Sequence, residues 1–184
     1  MRTLDKRPTI SRRNFLKTTG ITTVGITTVS AASLLMSSAN AWANSVAATG
    51  GPDADVAKTL LKVARDIYPH DQFSDAIYMK ALDPYGQAAA TDPALKALLS
   101  DGVKNLDGLA KARFGKPYAQ VDAEADRVTL LKSIDTTPFF AKLRGDLVVN
   151  LYDNHDVWKK LGYEGSSWEK GGYLNRGFND LDWL

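Results

Sequence analysis

The sequence predicts an all-α protein: a single small helical bundle with an irregular C-terminal tail rich in aromatic residues and glycine. Three observations carry that reading. Beyond residue 52 the apolar residues recur at intervals of three and four, and helix start and stop signals bracket each such run. No stretch alternates with the period of two that a half-buried strand needs, and no internal repeat is present.

The first helix is expected in DADVAKTLLKVARDIYPHD (53–71), where Val56, Leu60, Val63 and Ile67 share a face. Pro52 and Asp53 open it and Pro69 stops it. In SDAIYMKALDPYG (74–86) Ser74 is the candidate N-cap and Ile77, Met79, Ala81 and Leu82 are the apolar positions, with Pro84 and Gly86 expected to interrupt the helix. The longest helix should follow Asp92 and Pro93, run through Leu95, Leu98, Leu99, Val103, Leu106, Leu109 and Phe114, and end at Gly115. Gly102 and Gly108 inside it are read as marks of close helix packing. A helix from Asp122 should turn Val128, Leu131 and Ile134 inward. Another should start at Thr137 and Pro138 and bury Phe140, Leu143, Leu147 and Leu151.

The last stretch, YDNHDVWKKLGYEGSSWEKGGYLNRGFNDLDWL (152–184), has a different character. A short helix around 156–161 should end at Gly162, with Trp158 and Tyr163 packed on the domain. Beyond it Trp168, Tyr173, Phe178 and Trp183 are separated by Gly, Ser, Asn and Asp. Aromatic anchors on such a chain suit contact with another protein, because they bring large rigid contact area at little entropic cost. These four residues are the candidate partner interface.

The N-terminus reads as an address. SRRNFLK (11–17) sets Arg12 and Arg13 before Phe15 and Leu16, and no Asp, Glu, Lys or Arg follows from residue 18 to residue 52. This is the layout of a twin-arginine export signal. The uncharged run is long enough to span a bilayer, which leaves an uncleaved anchor as the other reading. The Thr and Gly content and the small-residue sites ANA (39–41) and AWA (41–43) favour a cleavable signal over residues 1–43, cut after Ala41 or Ala43, with the helical domain at 44–184.

Removing that segment changes the charge balance. Residues 1–43 hold six of the 23 basic residues and one of the 21 acidic ones, so the remaining 17 basic and 20 acidic residues give a formal net charge of −3. The basic character of the whole chain therefore belongs to the address, and no nucleic-acid partner is expected. The roughly 140 residues left can close one core. The chain has no cysteine, which excludes disulfides, Fe–S ligation, covalent haem attachment and a thiol nucleophile.

Few residues invite chemistry. His70 and His155 are each followed by an aspartate, Asp71 and Asp156, and a metal could use two imidazoles and a carboxylate if they converged. The 85 positions between them and the lack of an i, i+4 ligand partner favour a plainer role at helix termini. Asp153, Asp180 and Asp182 are conceivable acid–base groups but read as solvated turn and capping residues. Nothing resembles a nucleophile elbow, and GYEGSSWEKGGY (162–173) has the glycines of a phosphate loop without its strand–turn–helix context. No catalytic, cofactor-binding or metal-binding residue is assigned.

Four blocks behind the twin-arginine signal carry a resemblance: IYPHD (67–71), TPFF (137–140), LYDNHDVWKKLGYEG (151–165) and KGGYLNRGFNDLDW (170–183). Together they resemble the gluconate 2-dehydrogenase subunit 3 family, the small subunits of bacterial flavin-dependent sugar and polyol dehydrogenases. The resemblance spans the whole mature chain, and 152–165 is its most specific part. It implies a large FAD-containing subunit of the glucose-methanol-choline type, a multi-haem cytochrome c as third subunit, and a small subunit that holds neither cofactor. The small subunit's implied role is non-catalytic: it helps the flavoprotein mature and cross the membrane through the twin-arginine translocon. The implied location is the periplasm, at the outer face of the cytoplasmic membrane. Some relatives join small and large subunits through a cysteine; without one, contact here would be non-covalent. A stand-alone periplasmic binding or metal protein using His70 and His155 is the competing expectation.

Overall fold

Proline, aspartate and glycine set the helix boundaries. The computed structural model describes residues 37–175, and Arg12, Arg13, Phe15, Leu16, Phe178, Asp180, Asp182 and Trp183 lie outside that range. Among the described residues there are seven α-helices, one 3₁₀ turn and no strand, so the protein is all-α. The helices are α1 (Ser38–Ala48), α2 (Ala54–Ile67), α3 (Asp75–Thr91), α4 (Pro93–Phe114), α5 (Glu124–Ser133), α6 (Pro138–Tyr152) and α7 (His155–Leu161). The 3₁₀ turn, Tyr118–Gln120, links α4 to α5.

Local chemistry explains the boundaries. Asp92 accepts hydrogen bonds from the Ala94 and Leu95 amides at 2.9 and 3.1 Å, and Pro93 occupies the first turn, where its missing N–H costs nothing. Thr137 caps α6 through the Phe140 amide, again with a proline behind it. Gly115 and Gly162 end α4 and α7 at φ of 72° and 74°, the left-handed conformation that glycine adopts without a Cβ penalty. Asp53 and Ser74 stand at the N-cap positions of α2 and α3, though neither side chain makes a capping bond.

The amphipathic α2 is the centre of the bundle and touches α1, α3, α4, α5 and α6. Its buried face, Val56, Leu60, Val63 and Ala64, meets Leu82 of α3, Leu99 and Leu106 of α4, and Leu143 and Leu147 of α6 in one continuous core. Val157 joins α7 to that core.

Several expectations change on contact with the fold. Pro84 and Gly86 do not interrupt α3, which runs unbroken to Thr91. Pro84 is exposed and lines an open cleft with Lys80, one turn earlier, while Tyr85 and Ala89 are buried and hold the helix to the core. Gly86 is a contact point, since a Cβ there would lie 3.1 Å from a Val46 methyl of α1. Gly102 is likewise required: a Cβ would fall 2.2 Å from the Phe139 ring, so α4 and α6 approach more closely than any side chain allows. Gly108 has nothing within 4 Å and marks no contact. The inward face of α5 is Arg127, Leu130 and Leu131 with Ile134 beyond its end, while Val128 is half-buried. In α6 Phe139 takes the buried place expected of Phe140, and Leu109 of α4 is exposed. Helix α1 was not expected at all.

Candidate functional site

The C-terminal segment is built outward from one buried valine. Val157 anchors α7, and the Asn154 carboxamide caps it by accepting from the Asp156 amide at 3.1 Å. Trp158, one residue on, donates from Nε1 to the Tyr152 carbonyl at 2.5 Å. Its ring stacks on His155 with centroids 4.2 Å apart and receives Tyr163 edge-on at 5.3 Å. Gly165, at φ of 98°, passes the other part of the same ring. Trp158 is thus held against the domain as expected, whereas Tyr163 meets the Trp158 ring but is 55% exposed.

Beyond this cluster, among the described residues, the large apolar side chains face solvent. Turns hold residues 167–172, with the Gly172 amide on the Ser167 carbonyl at 2.7 Å and Lys170 paired to Glu164 at 3.0 Å. Trp168 is 88% exposed, Tyr173 63% and Leu174 85%. Three large apolar side chains stand in water within seven residues, a density uncommon on a monomeric surface. Of the four expected anchors, the structure places Trp168 and Tyr173 on this surface; Phe178 and Trp183 fall outside the described residues. Leu174, next to Tyr173 in the chain, joins them. The signal for Leu174 was only its position inside the glycine-rich run.

The histidines take different partners. His70 lies in the turn between α2 and α3, with Nε2 2.7 Å from the Tyr152 hydroxyl and its ring against Phe73. Tyr152 is itself held edge-on by Tyr68, and burial pushes its hydroxyl above the ordinary tyrosine range. His155, in the first turn of α7, stacks on Trp158 and lines an open cleft of about 510 Å³ between α3, α6 and α7 with Lys80, Asp153 and Asp156. Each imidazole faces an aromatic ring rather than the other. No group of three or more His, Asp or Glu side chains among the described residues could hold a metal ion.

A buried charged cluster joins α2 to α5. Arg127 of α5 donates from Nε and Nη2 to the two oxygens of Asp66 on α2, at 2.7 and 2.9 Å, and both side chains are almost fully buried. The Tyr118 hydroxyl donates to the same carboxylate at 2.7 Å, and Arg127 Nη1 reaches the Val121 and Asp122 carbonyls. Burial, and then the carboxylate beside it, push the Tyr118 hydroxyl far above the usual tyrosine range; Tyr85, buried against Asp146, is pushed the same way. Both phenols are therefore fixed as neutral donors. With both carboxylate oxygens and four of the five guanidinium N–H donors bonded inside the fold, this cluster ties α2, α5 and the 3₁₀ turn together. The signal was present in the sequence: Asp66 lies three residues from Val63, and Arg127 lies three and four from Leu130 and Leu131, so both sit at apolar-face spacing.

The fold and site define a class: a small all-helical domain that carries exposed aromatic residues, Trp168 and Tyr173, on the turns that follow α7. The chain matches no family model, no curated protein and no solved structure.

Proposed function

We propose that this chain is the non-catalytic small subunit of a periplasmic FAD-dependent sugar or polyol dehydrogenase complex, and that it assists maturation and twin-arginine export of the flavoprotein subunit. The observation that carries the reading is the exposed run of Trp168, Tyr173 and Leu174, held on turns beside the packed Trp158 cluster. Large apolar side chains kept in water are costly for a chain that works alone and useful to one that docks. The blocks at 67–71, 137–140, 151–165 and 170–183, with their resemblance to gluconate 2-dehydrogenase subunit 3, name the kind of partner.

Physical sense follows from the order of events. A flavoprotein that takes up FAD in the cytoplasm must fold there, and the twin-arginine route carries folded cargo. A small helical partner gains little from that route for itself; it can lend its signal to a chain that lacks one. The FAD then belongs to the large subunit and haem c to a cytochrome subunit. The choice among gluconate, sorbitol, glucose, fructose and related polyols lies in the large subunit's site.

The test is to replace Arg12 and Arg13 by lysine together and follow the catalytic subunit. Its retention in the cytoplasm, with FAD bound, is the expected result. Normal export of the flavoprotein beside the altered small subunit would contradict the shared-signal reading.

A further inference from the structure

Both small-residue sites that suit a signal peptidase, 39–41 and 41–43, fall inside α1, and α1 is part of the folded domain. The Ser37 hydroxyl caps the helix by accepting from the Asn40 amide at 3.3 Å, and the Ala41 amide is bonded to the Ser37 carbonyl at 3.1 Å. Trp42 donates from Nε1 to Asp83 of α3 at 2.9 Å. Ala43 is 0% exposed and packs with Val46 and Ala57 of α2. Gly86 and Gly51 leave the space that Val46 fills, since a Cβ at either would come within 3.1 or 2.9 Å of its methyl carbon. Small residues that look like a peptidase motif are also what lets α1 lie close against α2 and α3.

A peptidase takes its substrate as an extended strand that adds to its own sheet. To present the bond after Ala41 or Ala43, α1 must unwind and draw Trp42 and Ala43 off the domain. Cleavage of a folded chain then follows the population of that open form. We propose that processing spares the bonds after Ala41 and Ala43, so that α1, with Trp42, stays as a wall of the mature domain. The inference rests on the folded-export reading above, because a chain threaded unfolded would meet the peptidase before α1 formed.

The full folded chain, kept in detergent, is incubated with a purified bacterial signal peptidase beside a synthetic peptide of residues 30–50, with products read by mass. The peptide should be cut after Ala41 or Ala43, and the folded chain at least about tenfold more slowly, the factor for an opening free energy of about 1.4 kcal/mol. Ala57→Glu places a carboxylate against Ala43 without touching either site and should restore cleavage; Asp83→Ala, which removes only the Trp42 bond, is the milder second variant. Equal rates for peptide and folded chain would overturn the proposal. So would a peptide left intact at both bonds, since protection would then lie in the sequence and not in α1. In cells, an exported chain whose N-terminus precedes Ser38 supports it, and one that begins at Trp42 or Asn44 overturns it. That last outcome, combined with resistance in vitro, would mean the chain was cut before it folded, and the folded-export reading would fall while the barrier itself stood.

Discussion

In the helical body Phe73, Tyr78 and Tyr118 are sealed from solvent, and each buried hydroxyl has a partner: Tyr78 donates to the Tyr68 carbonyl at 2.6 Å and Tyr118 to Asp66 at 2.7 Å. In residues 163–175 the aromatic side chains are as large, yet Trp168 and Tyr173 stand in water on a chain held by turns. The same residue types serve cohesion in one region and are left available in the other. What separates them is the backbone: the apolar faces of the helices wall in Phe73, Tyr78 and Tyr118, whereas the Gly and Ser residues between Tyr163, Trp168 and Tyr173 build no such face. Substitutions in the two regions should therefore split cleanly between stability and binding.

The largest effect is expected in the body. Arg127→Met leaves the Asp66 carboxylate buried without its bidentate partner and should cost about 3–5 kcal/mol in urea or thermal unfolding. In the tail, Trp168→Ala and Tyr173→Ala should leave unfolding within about 0.5 kcal/mol of the parent. Each should weaken partner binding by about 2 kcal/mol, roughly 30-fold, in a titration against the flavoprotein. A tail variant that unfolds early, or an Arg127 variant that keeps full stability, would erase the division.

Three smaller effects sharpen it. Gly102→Ala drives a Cβ into the Phe139 ring and should destabilise by about 1–3 kcal/mol. The alkaline limb of the stability profile should report the buried phenols. The folded-state pKa of Tyr118 and Tyr85 lies above the unfolded value of about 10, so the stability each contributes is complete below that pH and lost as pH rises. Each raised group costs about 1.4 kcal/mol by pH 11, and Tyr118→Phe should flatten the fall. Gly108→Ala, with open space around it, should stabilise by about 0.5–1 kcal/mol.

Most of the fold is legible in the sequence because its signals are local. Asp92 with Pro93, Thr137 with Pro138, and the glycines at 115 and 162 act on their own turn of helix, and their chemistry is unchanged by what surrounds them. The departures all depend on tertiary contacts. Pro84 breaks a helix in isolation and is tolerated in α3 because Tyr85 and Ala89 are buried and hold the helix to the core. Gly102 and Gly108 look alike in sequence, and only the position of Phe139 tells them apart. Helix α1 is hidden because small residues at 39–43 satisfy two patterns at once, a peptidase motif and a close-packed helix face. For the site, the aromatic run was readable from composition and the Asp66–Arg127 pair from spacing, but a charged residue on an apolar face becomes meaningful only once its partner, 61 positions away, is found.

Docking of residues 163–175 on a FAD-containing dehydrogenase subunit is the proposed role of the exposed aromatic run. It is tested most directly by recovering the affinity-tagged full chain from the membranes and periplasm of the cells that make it, with flavin absorbance and dye-linked sugar or polyol oxidation measured on the eluate. The predicted result is a co-eluting yellow, active flavoprotein that is lost from the Trp168→Ala, Tyr173→Ala double variant while that variant keeps its unfolding midpoint. A colourless, inactive monomer from the parent chain, or a flavoprotein retained equally by the double variant, would contradict it.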